Sequence, residues 1–146
     1  MVVKQITPEE ASRLIGAGHK YIDVRTEAEY VNGHPAGALN IPVLFPDPAT
    51  RQMQMNAAFV ATVQAHFATH APLVIGCQSG GRSQRAAEIL REVGYTNVCN
   101  MQGGFGGTRD AVGRAVVLGW TDYGLPVETG LPSDRSYEAL LKNMSW

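Results

Sequence analysis

Cysteine is scarce in this sequence, which has Cys77 and Cys99 among 146 residues. Two cysteines are too few for the disulfide framework that stabilises small secreted domains, although the count is compatible with a single bridge. Because free thiols persist in reducing compartments, we expect a cytoplasmic protein.

An excess of charge of either sign is also missing. The 12 basic and 13 acidic residues leave a formal net charge of −1. A chain with this balance has no overall field that would attract nucleic acid or anionic lipid. We therefore predict no nucleic-acid partner.

Long hydrophobic runs are absent as well. The stretch between Arg51 and Arg82 contains no Asp, Glu, Lys or Arg, but His66, His70 and Pro72 interrupt its apolar residues. Its apolar runs are far shorter than the roughly 18–20 residues that cross a bilayer. The first six residues also lack the apolar core of a secretory signal. We predict no membrane association.

The sequence does contain enough apolar material for one folded core. Hydrophobic residues make up 45% of the chain and charged residues 17%, a balance typical of globular proteins rather than of disordered chains. A length of 146 residues falls in the range of one domain. We therefore predict a single domain over residues 1–146.

Strand and helix patterns alternate along the chain. Two capping boxes, one starting at Thr7 and one at Thr26, predict two short helices. Strands are predicted at residues 21–24, just before Pro42, at 73–76 and at 97–100. Three more helices are predicted over 59–67, over 82–93 and after Ser133. This order predicts an α/β fold with a mostly parallel sheet, whose functional sites lie at the carboxyl ends of the strands.

The segment from Cys77 to Ser83 lies between the predicted buried strand and the following helix. Its adjacent glycines, Gly80 and Gly81, let the backbone turn several N–H groups inward as a nest for an anion. The start of the helix adds partial positive charge at the same point. Both features favour an anionic group in this loop.

The charges near Cys77 in sequence have the same effect. Between Asp47 and Glu88 the charged residues are Arg51, Arg82 and Arg85. Free cysteine titrates near pH ~8.5, and cations or helix N-termini lower that value in proteins. We therefore predict that Cys77 is a nucleophilic thiolate, with a buried structural thiol as the alternative.

Several ordered motifs together resemble a known family. These are Asp23-Val24-Arg25, Glu29, Gly33-His34, the segment from Gly37 to Pro42, the loop from Cys77 to Ser83, Gly103-Gly104-Phe105, and the segment from Gly124 to Val127. The combination, which spans roughly residues 5 to 130, is similar to the single-domain rhodanese sulfurtransferases.

The resemblance implies a rhodanese-like α/β fold, with a central, mostly parallel five-stranded sheet and helices on both faces. It also implies a thiosulfate:cyanide type of sulfurtransferase. In this reaction Cys77 takes the outer sulfur of a donor such as thiosulfate and holds it as a persulfide. A thiol, cyanide or a thioredoxin-like protein then accepts the sulfur. No cofactor is implied, and the spacing of Asp, Glu and His predicts no metal site.

The resemblance assigns a role to each residue of the loop. Arg82, with Cys77, is implied as catalytic, because it matches the arginine that ends the family's loop. The inward N–H groups of the loop are implied to bind the substrate and to stabilise the anionic sulfur; they belong to Gln78, Ser79, Gly80, Gly81 and Ser83.

We assign supporting roles to Asp23 and Arg25, which either pair with each other or orient the loop. Many family members that prefer thiosulfate have a basic residue directly after the cysteine, whereas this chain has the neutral Gln78 at that position.

Two other functions stay open at this point. Related cysteine-dependent phosphatases have a loop longer by one residue, whereas four residues separate Cys77 from Arg82. A smaller ring suits one sulfur better than a phosphoryl group, so phosphatase or arsenate reductase activity is the less favoured alternative. The second alternative is a rhodanese-like domain that binds or senses without catalysis, which requires an inaccessible thiol.

Three further features are open to more than one interpretation. We expect Cys99 to be a buried structural thiol rather than a partner that resolves a persulfide on Cys77. His34 is expected to shape a turn rather than act as an acid or base. The segment from Thr108 to Gly119 is longer than in the family, and we expect a solvated surface loop rather than a rim over the pocket.

Overall fold

The structure, a computed structural model, describes residues 2–144. The predicted domain therefore includes three residues outside the described range, Met1, Ser145 and Trp146. The helices are α1 (Pro8–Gly16), α2 (Glu27–Asn32), α3 (Phe59–His66), α4 (Gly81–Glu92) and α5 (Tyr137–Lys142). The strands are β1 (Lys4–Ile6), β2 (Lys20–Asp23), β3 (His34–Pro35), β4 (Leu39–Asn40), β5 (Leu44–Pro46), β6 (Met53–Met55), β7 (Leu73–Gly76), β8 (Val98–Met101), β9 (Thr108–Arg109), β10 (Ala115–Val117) and β11 (Val127–Glu128).

Five of the strands form one parallel sheet in the order β1-β8-β7-β2-β4. All four residues of the central strand β7 are buried, which explains why its sequence is a continuous apolar run rather than an alternating one. The predicted α/β architecture with a five-stranded parallel sheet is confirmed.

Two apolar cores lie on opposite faces of this sheet. Leu73 and Ile75 of β7 pack into one core with side chains of α3, α4 and α5, among them Phe59 and Leu90. Val74, the residue between them, packs into the other core with side chains of α1 and α2. This alternation along one strand places helices on both faces, as predicted.

Local sequence signals fix the helix ends more reliably than the edge strands. Both predicted capping boxes are present, one at the start of α1 and one at the start of α2. The last helix begins after Ser136, whose hydroxyl accepts from the Ala139 N–H at 3.2 Å, so the predicted start near Ser133 is too early. Strand β1 was not predicted. Only one of its three side chains is buried, so its sequence has neither an apolar run nor an alternating pattern.

The register of the sheet brings two predicted site segments together. Asp23, the last residue of β2, pairs with Gly76, the last residue of β7. Because both strands are parallel and end at the same edge, the residues that follow them meet there. Arg25 and the loop that begins at Cys77 are therefore neighbours.

Candidate functional site

Cys77 lies directly after β7, at the bottom of the loop that leads into α4. The residue is only 2% exposed. The Gly80 N–H donates to its sulfur, with 3.1 Å between the nitrogen and Sγ. Gly80 has a φ of +116° and occupies the position just before α4, a left-handed conformation that a side chain would strain. This turn is what points the Gly80 N–H at the sulfur.

Ser83, in the first turn of α4, provides a second group beside the sulfur. Its hydroxyl oxygen is completely buried and lies 3.3 Å from Cys77 Sγ. The same oxygen lies 2.5 Å from Asn100 Oδ1 on β8. Among residues 2–144, the groups that can donate to the sulfur are therefore one backbone N–H and one hydroxyl. This differs from the predicted ring of inward N–H groups, because Ser83 contacts the sulfur through its side chain and Gln78, Ser79 and Gly81 make no hydrogen bond to it.

The middle of the loop faces outward. Ser79, Gly80 and Gly81 line an open pocket of about 440 Å³. Both Gln78 and Ser79 are exposed at the surface. These residues thus lie where a substrate or partner could approach the loop, and their predicted binding roles remain predictions.

Asp23 and Arg25 form a buried ion pair that reaches the loop. Arg25 Nη2 lies 2.7 Å from Asp23 Oδ2, and the two side chains are 3% and 1% exposed. A second nitrogen of the guanidinium donates to Gln78 Oε1 at 3.1 Å. The central carbon of the guanidinium, Cζ, also lies over the ring of Phe105, 4.7 Å from the ring centroid. The pair contacts the loop through Gln78.

A glycine-rich segment after β8, for which no role in the site was predicted, forms a wall against the loop. The Phe105 N–H donates to the Cys77 carbonyl at 2.7 Å, and the Gly106 N–H donates to the Gln78 carbonyl at 3.0 Å. A side chain at Gly104 would lie 2.5 Å from the Gln78 carbonyl carbon. The cluster of glycines from Gly103 to Gly107 was the available signal, because such runs mark places where two backbones approach closely.

Arg82 makes an ion pair that its sequence neighbourhood did not reveal. Its two terminal nitrogens donate to the two carboxylate oxygens of Glu29, at 2.7 and 2.9 Å. A second ion pair lies on α4 itself, where Arg85 Nη1 is 3.7 Å from Glu88 Oε1. The three arginines counted along the chain therefore overstate the positive charge at the loop, because the count missed Glu29 on α2. Arg82 joins α4 to α2, and its catalytic role stays a prediction.

The pair with Arg82 makes Glu29 a stronger acid. The hydrogen bond from Arg82 lowers the pKa of Glu29 from 4.5 to about 2, against the opposing effect of partial burial. Unfolding returns this pKa to its ordinary value, so the stabilising effect of the ionised Glu29 is fully present above about pH 4.5 and is lost as the pH falls toward 2.

We expect the difference in unfolding free energy between the wild type and Glu29→Gln to shrink steadily across that acid window. Urea unfolding at a series of pH values measures this difference. Glu128, whose pKa is lowered to about 2 mainly by Arg135, provides a matched control, because Glu128→Gln removes a similar titration elsewhere. A difference for Glu29→Gln that stays constant with pH would contradict the assignment.

Cys99 lies within β8, away from the core that contains Cys77. Both cysteines are free thiols, and their side chains belong to the two cores on opposite faces of the sheet. Burial raises the pKa of Cys99 to about 11, which disfavours its thiolate. These observations agree with the structural thiol that we expected.

His34 is also a buried structural residue. It is completely buried, its ring stacks on Tyr30 with 3.6 Å between centroids, and its Nδ1 lies 2.6 Å from the Tyr30 carbonyl oxygen. Its other ring nitrogen lies 3.1 Å from a carboxylate oxygen of Glu128. These contacts hold the turn together, in line with the expected shaping role.

The segment from Thr108 to Gly119 is a β-hairpin, formed by β9 and β10. Val117 of this hairpin lines the same pocket as Ser79, Gly80 and Gly81, while Val112 is 74% exposed. The expectation of a solvated loop is therefore wrong in part, because one edge of the hairpin borders the pocket.

Within residues 2–144, no three His, Cys, Asp or Glu side chains lie close enough together to hold a metal ion. Over the same residues, no helix has the length and apolar character needed to cross a membrane.

Known proteins resemble this chain in both sequence and structure. Residues 7–111 match a family model described as Rhodanese-like domain. Thiosulfate sulfurtransferase 16, chloroplastic, from Arabidopsis thaliana is 38% identical over 104 residues, which covers 71% of this chain and 85% of that protein. Senescence-associated protein DIN1 from Raphanus sativus is 36% identical over 118 residues, which covers 81% of this chain and 57% of that protein.

A solved structure extends this similarity to the fold. The crystal structure of Rv0390 from M. tuberculosis superposes with a TM-score of 0.73 at 29% identity, covering 89% of this chain and 100% of that one.

Proposed function

Since the chain belongs to the rhodanese-like domain family, we propose that it is a sulfurtransferase in which Cys77 carries the transferred sulfur as a persulfide. Family membership and the similarity to a relative named as a thiosulfate sulfurtransferase support the general reaction class. The observation that carries the specific assignment is the position of Cys77 Sγ, 3.1 Å from the Gly80 nitrogen at the carboxyl end of β7. A donor fixed at this distance stabilises negative charge on sulfur without reorganisation during the reaction.

The reaction proceeds in two halves that share one covalent intermediate. The Cys77 thiolate attacks the outer sulfur of thiosulfate, the sulfur–sulfur bond of the donor breaks, and sulfite leaves with the bonding electron pair. In the second half a thiolate, cyanide or a thioredoxin-like protein attacks the terminal sulfur, and the Cys77 thiolate is the leaving group. Sulfur is thereby moved with no net oxidation of the protein.

The test is the intact mass of the protein after mixing with thiosulfate and removal of the excess donor. We expect the wild type to gain the mass of one sulfur atom, and Cys77→Ser to gain none. Cys99→Ser is the matched control, because its thiol lies in the other core; it should gain sulfur like the wild type. A gain that persists in Cys77→Ser would overturn the assignment.

Phosphatase activity is disfavoured by the state of Arg82. A free arginine binds phosphate oxygens through its terminal nitrogens, whereas both terminal nitrogens of Arg82 are held by Glu29. Comparison of turnover on an aryl phosphate and on thiosulfate decides between the two reactions. Faster turnover of the phosphate ester would reverse our preference.

The binding or sensing alternative rests on the burial of Cys77, which is 2% exposed. If the sulfur is inaccessible to donors in solution, the wild type gains no mass with thiosulfate or with other sulfane-sulfur donors. This result would favour a binding domain over an enzyme. The donor, the acceptor and the cytoplasmic location remain predictions.

A further inference from the structure

Three side-chain amides form a chain of hydrogen bonds that begins at the protein surface and ends at Ser83. Gln84 Oε1 accepts from Gln5 Nε2 at 2.6 Å. Gln5 Oε1 in turn accepts from Asn100 Nδ2 at 2.8 Å. The last link joins Asn100 Oδ1 to the Ser83 hydroxyl at 2.5 Å. The register of β1 against β8, which pairs Gln5 with Asn100, builds the middle of the chain.

The direction of these hydrogen bonds is fixed from the surface end. Gln5 Nε2 also lies 3.2 Å from the Val3 carbonyl oxygen, a group that can only accept. The amide nitrogen of Gln5 must therefore face Val3, and its oxygen must face Asn100. Asn100 then has to turn its nitrogen toward Gln5, which leaves its oxygen facing Ser83.

This direction decides where the single hydroxyl hydrogen of Ser83 lies. A serine hydroxyl has one hydrogen to donate and two lone pairs that accept. Asn100 Oδ1, at 2.5 Å, is a closer acceptor than the Gly80 carbonyl oxygen, at 3.2 Å, and than Cys77 Sγ, at 3.3 Å. With its hydrogen directed at Asn100, the Ser83 oxygen presents a lone pair to the sulfur and can accept from the thiol form of Cys77.

We propose that Asn100, held by Gln5, is a positioning residue that competes with the Cys77 sulfur for the hydroxyl hydrogen of Ser83. The thiolate then depends mainly on the Gly80 N–H, and it gains the Ser83 hydroxyl only when that hydroxyl turns away from Asn100. A thiolate with fewer donors is the stronger nucleophile, since nucleophilicity of sulfur falls as its acidity rises. The consequence for catalysis rests on the proposed sulfurtransferase function, but the effect on the thiol does not.

The other charged and titratable groups around Cys77 are two ion pairs and one phenol. The ion pairs are Arg82 with Glu29 and Arg25 with Asp23, and the phenol is that of Tyr21, whose ring is buried beside Trp120. The variants proposed below alter none of these groups.

The test measures how fast iodoacetamide alkylates Cys77 as a function of pH, in a Cys99→Ser background and with no sulfur donor present. Asn100→Leu leaves the Ser83 hydroxyl with the Gly80 carbonyl oxygen and the sulfur as acceptors. A charged thiolate is the stronger acceptor of the two, so the hydroxyl donates to the sulfur when Cys77 is ionised. We expect the pH midpoint of alkylation to fall by about one unit, the size that one hydrogen bond to a charged group supports. The same substitution should have no effect in a Ser83→Ala background and its full effect in a Ser83→Thr background, which keeps the hydroxyl. An unchanged midpoint, or an equal shift without the Ser83 hydroxyl, would refute the competition.

A variant at the surface keeps the proposal testable if Asn100→Leu fails to fold. Gln5 is exposed, and Gln5→Met removes the acceptor that holds the Asn100 nitrogen, so Asn100 can turn and release the hydroxyl. We expect a smaller fall in the midpoint than for Asn100→Leu. Gln5→Glu keeps an acceptor oxygen at this position and should not lower the midpoint. If Gln5→Met leaves the midpoint unchanged, or if Gln5→Glu lowers it as much, the proposal fails. Because no sulfur donor is used, either result is independent of the mass test for sulfur transfer.

Discussion

Asp23→Ala is expected to lower the free energy of unfolding by about 3–5 kcal/mol, the usual cost of leaving one member of a buried ion pair without its partner. Arg25 is 3% exposed and makes three of its side-chain hydrogen bonds to Asp23. Without Asp23, the guanidinium keeps the Gly33 carbonyl and Gln78 Oε1 as partners, but its charge is no longer compensated. Urea unfolding of both proteins measures the loss.

Two controls separate the buried charge from other effects of the substitution. Glu138→Ala breaks the pair with Lys142, whose side chains are 67% and 72% exposed, and should cost no more than about 1 kcal/mol. The double variant Asp23→Leu, Arg25→Met removes both charges and should regain much of the stability lost in Asp23→Ala. A double variant that is no more stable than Asp23→Ala would contradict the explanation from an uncompensated charge.

The double variant also separates stability from function. It lacks the hydrogen bond from Arg25 to Gln78 and the contact of Arg25 with Phe105. We therefore expect it to fold yet to gain sulfur more slowly than the wild type. A normal rate of sulfur gain would show that this pair stabilises the fold without orienting the loop.

The parts of the fold that were predictable from sequence are those with strong local signals. The apolar run of β7 and the helical periodicity of α4 located the strand and helix on either side of the loop, so the position of Cys77 followed directly. The capping boxes at Thr7 and Thr26 fixed the starts of two more helices. Each of these signals lies within a few residues of the feature that it predicts.

The missed features depend on contacts between distant parts of the chain. Glu29 belongs to the capping box that starts at Thr26 and to a family motif, but its pairing with Arg82 requires α2 and α4 to lie side by side. The positions of Gln5 and Asn100 depend on β1 joining the sheet next to β8, and β1 has no recognisable pattern of its own. Sequence periodicity carries no information about such neighbours, because strand order is set by packing of the whole domain.

The wall formed by the glycines after β8 leads to the second large expected effect. Gly104 has a φ of +61°, and a Cβ there would lie 2.5 Å from the Gln78 carbonyl carbon and 2.6 Å from the Cys77 carbonyl oxygen. Both neighbours are backbone atoms of the loop, so no side chain can turn aside to make room. We expect Gly104→Ala to cost about 2–5 kcal/mol, from the left-handed conformation together with overpacking.

The same substitution should slow sulfur gain by Cys77 about 100-fold, because displacement of a reacting group by about 1 Å has effects of this size. Gly113→Ala is the matched control: Gly113 has a φ of +85°, but no atom lies within 4 Å of its added Cβ. It should show the conformational cost of about 1–2 kcal/mol and a normal rate of sulfur gain. Urea unfolding and time-resolved intact mass measure the two effects. Equal losses of rate in the two variants would mean that the collision with the loop is not the cause. A loss confined to Gly104→Ala would show that the close approach of the two backbones holds Cys77 in place.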